Sequence, residues 1–204
     1  MNIEREFRDL LDHDCSRDDV VDYLASHPEL LPVWFPRDSQ MYVRLHLFAD
    51  EIADFAYHRD DTPGELWRFY RIANPNARLL DGDAPSDELT RELQNLITWN
   101  TWFQTNLENE SHSKPIACAE FVAYEPEIYL VIGRRAEIES FQNHHKFENW
   151  SFIGREQYAN IRPITFDNLI VALSDNAWRS NETIKMLEHT NGETSIVQTF
   201  PNRS

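Results

Sequence analysis

The sequence predicts an α/β domain: a mixed β-sheet flanked by helices, preceded by a small helical N-terminal segment. Three observations predict it. Stretches with strand patterning stand on either side of a long segment whose apolar residues repeat at helical spacing. Two short helical segments, the second with a capping signal, precede the first strand. The 204 residues are 41% hydrophobic, enough for one domain-sized core, and 26% charged, enough to solvate its surface.

The elements follow in order. Glu4 to Leu11 reads as a first helix. Ser16 caps a second, Asp19 completes a capping-box start, and Val20, Val21, Tyr23 and Leu24 give it an apolar side. His27-Pro28 ends that helix, since a residue before proline is pushed out of the helical region. Glu29 to Pro32 makes a further turn, and 33–40 reads as a linker. Met41 to Phe48 alternates as a strand does, and Ile52 to Tyr57 is a second strand. Arg59-Asp60-Asp61-Thr62-Pro63-Gly64 is a turn, and Leu66 to Ile72 an aromatic-rich strand. Ser86 caps a long helix, Asp87 to Leu107, in which Leu89, Leu93, Leu96, Ile97 and Phe103 recur at helical spacing. Strands return at Ile116–Tyr124 and Ile128–Ile132, and Gly133 stops the second. Ala136 to Phe147 reads as a helix, Asn160 to Phe166 as a strand, and Asp167 to Leu173 as a short helix. Beyond Trp178 the chain is polar, with a Thr190-Asn191-Gly192-Glu193 turn before a strand at Ser195–Phe200. The chain thus divides into an N-terminal helical segment (1–36), a core (37–175) and a tail with a hairpin (176–204).

Composition narrows the function classes. The longest apolar runs, such as Ile128 to Ile132, are too short to span a bilayer. The first residues lack the apolar stretch of a signal peptide, and Cys15 and Cys118 stand far apart without a motif, so the expectation is a reduced, cytoplasmic protein. No Gly-x-Ser-x-Gly occurs, which removes a nucleophile-elbow hydrolase. The net charge is −16, and residues 4–29 carry nine acids against three arginines. Any nucleic-acid contact must therefore be a local basic patch, and the acidity equally fits a protein partner.

Metal-dependent phosphodiester cleavage has a recognisable layout. It needs carboxylates to hold Mg²⁺ and a cation to balance charge on the phosphorane. One Asp on a strand, with an acid-x-Lys on the next, supplies both, because alternate strand residues share a face. Asp54, in Ile52-Ala53-Asp54-Phe55, fits the first requirement and is the candidate metal ligand. On the following strand, position 71 is Arg where an acid is wanted, and position 73 is Ala where Lys is wanted.

Several stretches resemble the Shedu antiphage family, whose core is a PD-(D/E)xK nuclease domain. Arg17-Asp18-Asp19-Val20 through Leu24, then His27-Pro28-Glu29-Leu30-Leu31, resembles a helix ending at Pro before paired leucines. Asp54-Phe55 is similar to the family's Pro-Asp-Phe, and Arg71-Ile72-Ala73-Asn74-Pro75 to its Glu-Ile-Lys-Arg-Pro. Glu88 to Trp99 resembles the helix bearing an active-site Gln, here Gln94. Tyr129 to Arg135 is similar to the strand ending Gly-Arg-Arg, and Ile164 to Leu169 to the Thr-Tyr-Asp-x-Leu element. The resemblance implies a restriction-endonuclease-like fold over the core, with catalytic positions at Asp54, Arg71, Ala73 and Gln94. It also implies phage double-stranded DNA as substrate or ligand, Mg²⁺ where cleavage survives, and a homo-oligomer, expected to be a tetramer.

The departures at 71 and 73 shape the functional reading. An Arg beside Asp54 competes with Mg²⁺ for its carboxylate. Were Gln94 to face the site, Arg91 would too, and could stand for the Lys, with Glu88 or Glu92 for the acid. Arg134 and Arg135, at a strand end that opens a helix, are the candidate phosphate contacts, together with Arg91. His144-His145 with Glu139 or Glu148 is a weaker metal candidate. Trp99, Trp102 and Phe103, with Trp67 and Phe69, suit either base stacking or a core or oligomer interface. The expected function is antiphage immunity through a nuclease-like module with little or no cleavage, engaging DNA or assembling an oligomer. The alternatives are an active Mg²⁺-dependent endonuclease with relocated groups, and a protein-binding module without DNA contact.

Overall fold

The computed structural model describes residues 2–31, 39–61, 64–82, 84–107, 126–138, 160–175, 183–190 and 193–201. Asn2 accepts the Arg5 N–H and starts α1 (Ile3–Asp12). A capping box starts α2 (Arg17–Ser26): Ser16 accepts the Asp19 N–H while Asp19 accepts the Ser16 N–H at 2.9 Å. A 3-10 turn follows at Pro28–Leu30.

Three strands then form an antiparallel meander, β1 (Ser39–Phe48), β2 (Glu51–Asp61) and β3 (Gly64–Ile72). A minimal ladder, β4 (Leu80–Asp81) with β5 (Ala84–Pro85), leads into α3 (Asp87–Leu107). β6 (Glu127–Val131) lies parallel to β3, and β7 (Ile161–Ile164) parallel to β6. A 3-10 turn at Arg135–Ile138 follows β6, and α4 (Phe166–Asp175) follows β7. The hairpin β8 (Thr183–Thr190) and β9 (Glu193–Pro201) completes the sheet, in the order β7-β6-β3-β2-β1-β8-β9. The expected mixed sheet with flanking helices and a small helical N-terminal segment is the architecture observed.

The hairpin expected in the polar tail is formed by β8 and β9, and β8 runs parallel to β1, so it extends the sheet. Arg59 to Asp61, expected in a turn, instead continue β2 and pair with Leu66, Glu65 and Gly64. The helix expected over Ala136–Phe147 begins as the 3-10 turn, and its remainder lies outside the described residues. The strand expected at Ile116–Tyr124 also lies outside them.

Each face of the sheet carries its own helical layer. On one, α3 buries Leu89, Leu96, Trp99 and Phe103 against Ala53, Phe69, Leu79, Ile128 and Leu130. On the other, Phe7, Leu11, Val20, Leu24, Phe166 and Leu169 pack on Met41, Phe55, Tyr70, Ile72 and Val131. Fully burying side chains of this size contributes about 1.5–3 kcal/mol each. Ser86 anchors α3: its Oγ accepts the Leu89 N–H at 3.1 Å and donates to the Arg78 carbonyl at 2.5 Å. Ser86 is buried, so Ser86→Ala leaves the cap and that carbonyl unsatisfied. The expected loss is about 1–2 kcal/mol, read as a lower urea midpoint. Among the described residues no helix is long and apolar enough to cross a membrane.

A local irregularity positions Asp54. Residues two apart on a strand should share a face, yet Met41 and Val43 join the α1–α2 layer while Leu45 and Leu47 join α3. The partner strand reverses likewise, from Ala53 to Phe55. Between the pairs Val43–Phe55 and Leu45–Ala53 lies Arg44, in left-handed backbone at φ 51°. Arg44 is held outward by Asp22 at 2.6 Å. Asp54 sits where β2 changes face.

Candidate functional site

Asp54 is 2% exposed, and both its oxygens are engaged. Its Oδ2 accepts the Ile72 N–H at 2.7 Å, and its Oδ1 accepts Arg17 Nη2. The β2–β3 pairing runs out at Phe55–Tyr70, so the Asp54 carboxylate satisfies a backbone donor that the ladder no longer reaches. Arg17 Nε donates to the Ile72 carbonyl at 2.7 Å. Arg17 is the first residue of α2, and its guanidinium clamps the β2 carboxylate and the last peptide of β3 together.

Arg71 stands next to this clamp. Its Nε lies 3.6 Å from Glu92 Oε2, and its Nη1 donates to the Ile52 carbonyl at 3.5 Å. Burial pushes the Asp54 carboxyl above the usual aspartate range, while Arg17, the Ile72 amide and Arg71 pull it back down. Ala73 is buried in the α3-facing core, and its N–H reaches the Val131 carbonyl at 2.9 Å.

Gln94 does not join them. The phase of α3 turns Leu89, Leu96, Trp99 and Phe103 to the sheet, with Glu92 on the same stripe, and leaves Gln94 and Arg91 exposed. Among the described residues Arg91 pairs with its helix neighbours, Glu92 at 3.8 Å and Glu88 at 4.0 Å. The side chains that converge are therefore Arg17, Asp54, Arg71 and Glu92. Glu92 was legible as an acid near the site, because it shares the spacing of the apolar repeat. Arg17 carried no such signal, being 37 residues from Asp54 in sequence.

The Gly-Arg-Arg stretch is built as a turn whose anion comes from the chain itself. Gly133 has φ +61°, and the Arg135 N–H donates to Asp167 Oδ2 at 2.6 Å. Arg134 bonds Asp167 through Nε at 3.3 Å and Asp12 through Nη1 at 2.9 Å. Burial opposes the Arg134 charge, but these hydrogen bonds outweigh it and raise the guanidinium above its ordinary value. The Arg135 side chain is exposed. The aromatics expected on α3 divide in the same way. Trp99 is a core residue whose Nε1 donates to Glu51 at 2.8 Å, and Phe103 stacks on Phe69. Trp102, half-buried, stacks on Phe48 at 4.5 Å. His144, His145, Glu139, Glu148 and Cys118 lie outside the described residues.

A Mg²⁺ ion does not fit the site as arranged. Both Asp54 oxygens already accept hydrogen bonds, one of them from the Arg17 guanidinium, and the Glu92 carboxylate faces the Arg71 guanidinium. Among the described residues no group of three His, Cys, Asp or Glu side chains gathers.

No curated protein matches the chain. The family model described as Shedu protein SduA, C-terminal, matches residues 15–170. That span opens one residue before the Ser16 cap of α2 and closes within α4, taking in strands β1 to β7 with α2 and α3 and leaving α1 outside. The chain belongs to the Shedu SduA C-terminal family.

Proposed function

We propose that the chain serves antiphage defence as a nuclease-like module that does not itself cut DNA. One observation carries this: the Arg17 guanidinium bonds Asp54 and the Arg71 charge on the next strand acts on it too, where cleavage needs a divalent ion and a lysine. With Arg71 and Ala73 in the acid and lysine positions, nothing near Asp54 both holds a metal and activates water. Binding of duplex DNA, or assembly with further copies, then carries the role. Of the three expected phosphate contacts, Arg135 and Arg91 are exposed, whereas Arg134 is committed to Asp12 and Asp167. The acidic faces of α1 and α2 favour a protein partner on that side.

The test uses the purified chain with linear and circular duplex DNA, in Mg²⁺, Mn²⁺ or EDTA. The expected result is no metal-dependent nicking. Nicking that disappears in Asp54→Ala establishes the active endonuclease instead. Retention of DNA at low salt that falls with Arg135→Ala marks DNA engagement, and absence of retention marks assembly with protein.

A further inference from the structure

The mismatch between Mg²⁺ and this pocket has a specific cause. Two oxygens stand beside the Arg71 guanidinium, Glu92 Oε2 at 3.6 Å and the Ile52 carbonyl at 3.5 Å, and its charge also acts on Asp54 through space. Carboxylate and carbonyl oxygens are the donors that hard divalent ions select. The contacts to Arg71 are long, and Glu92 Oε2 is buried without a hydrogen-bond partner. A buried carboxylate oxygen left in that state is costly unless a cation faces it. Glu92 Oε1 lies 3.8 Å from Arg91, on the outer side of α3, so the other oxygen is the one presented to the pocket. Each Asp54 oxygen accepts one hydrogen bond and retains a second lone pair.

We propose that Arg71 is the resident cation of this pocket. Its guanidinium, beside Glu92 and the Ile52 carbonyl and acting on the charge of Asp54, holds the place that a divalent ion would otherwise take. The tethered charge neutralises the same carboxylates permanently and bars the ion. Removing it leaves the Glu92 carboxylate and the Ile52 carbonyl without their cation, with the Asp54 charge nearby, a donor set that would take Mn²⁺ or Mg²⁺ with water filling the remaining positions. Arg17 stays in place as the Asp54 clamp. The proposal rests on the non-cleaving reading above and deepens it, because a pocket already holding a cation has no room for a catalytic one.

The experiment compares the unaltered chain with Arg71→Ala and Arg71→Met, the latter keeping an aliphatic stem. Each is titrated with Mn²⁺ by calorimetry and melted in EDTA and in Mn²⁺. The unaltered chain is expected to show no stoichiometric site and no shift. Either variant is expected to bind one ion per chain and to melt about 3–6 °C higher with Mn²⁺ at tenfold over its dissociation constant. That gain is expected to vanish when Glu92→Gln is added. A variant that folds only with Mn²⁺ supports the proposal equally. Variants that show no Mn²⁺ site, or stay unfolded with and without the ion, overturn it, as does an Asp54-dependent Mn²⁺ site in the unaltered chain. The two readings fail separately: nicking by the unaltered chain sinks the non-cleaving function, whereas variants without Mn²⁺ binding sink only the role of Arg71.

Discussion

Arg17→Ala is expected to destabilise the fold by about 2–3 kcal/mol at neutral pH. Removing one partner of a buried ion pair typically costs about 3–5 kcal/mol. The Arg17 side chain is 36% exposed, so solvent screening reduces that figure. Two acceptors lose their donor at once, the Asp54 carboxylate and the Ile72 carbonyl. Asp54→Asn should cost less, since the amide keeps an oxygen for one donor and sheds the buried charge. Urea denaturation of Arg17→Ala, Asp54→Ala and the double variant checks the coupling. The double variant should lose clearly less than the sum of the single losses, and additive losses would show that the two groups act independently.

The pH dependence of the Arg17→Ala loss follows from Asp54. Its folded pKa is raised, so the native state holds this proton more tightly than the unfolded chain does. Its contribution to stability is therefore present at low pH and is lost as pH rises through the folded value. Without Arg17 the carboxyl rises further. The deficit of Arg17→Ala should then shrink as pH is lowered and the unpaired carboxylate takes up a proton. A deficit that is constant with pH would place the loss in the Ile72 carbonyl alone.

Gly133→Ala is expected to cost about 3 kcal/mol. A left-handed backbone costs a residue with a Cβ about 1–2 kcal/mol, and Gly133 stands at φ +61°. The new Cβ would also lie 2.7 Å from Leu79 Cδ2 and 2.8 Å from the Ala77 carbonyl. Leu79 is fully buried and the carbonyl belongs to the backbone, so neither yields without strain. Gly82, also at a positive φ of 62°, has open space around its Cα. Gly82→Ala should thus pay for its backbone conformation alone, and the difference between the two melting temperatures isolates the clash. Equal losses at the two positions would overturn that account.

Much of this architecture is legible in the sequence because it is local. Ser16 with Asp19, Ser86, and His27-Pro28 mark helix ends through short-range hydrogen bonds and sterics. The alternation of Met41–Phe48 and the aromatic run of Leu66–Ile72 mark strands. What escapes is long-range or depends on phase. β8 reads as polar tail because its stabilising partner, β1, lies more than a hundred residues earlier. The helix bearing Gln94 is legible, but its rotation is not obvious from that residue alone. The apolar repeat through Leu89, Leu96 and Phe103 sets the phase, and it brings Glu92 inward instead. The substitutions at 71 and 73 are plain in the sequence, yet the clamp that commits Asp54 to Arg17 appears only once α2 is docked on the sheet.

The layer opposite α3 has a consequence for the order of assembly. It is drawn from remote parts of the chain, α1 and α2 on one side and α4 on the other, and Arg134 reaches Asp12 across 122 residues. During synthesis the amphipathic N-terminal helices emerge long before β6 and α4 exist to cover them. Closing so large a loop is entropically expensive and slow. Premature release or truncation ahead of residue 166 would therefore leave a hydrophobic underside exposed, an aggregation hazard that chaperones would have to shield.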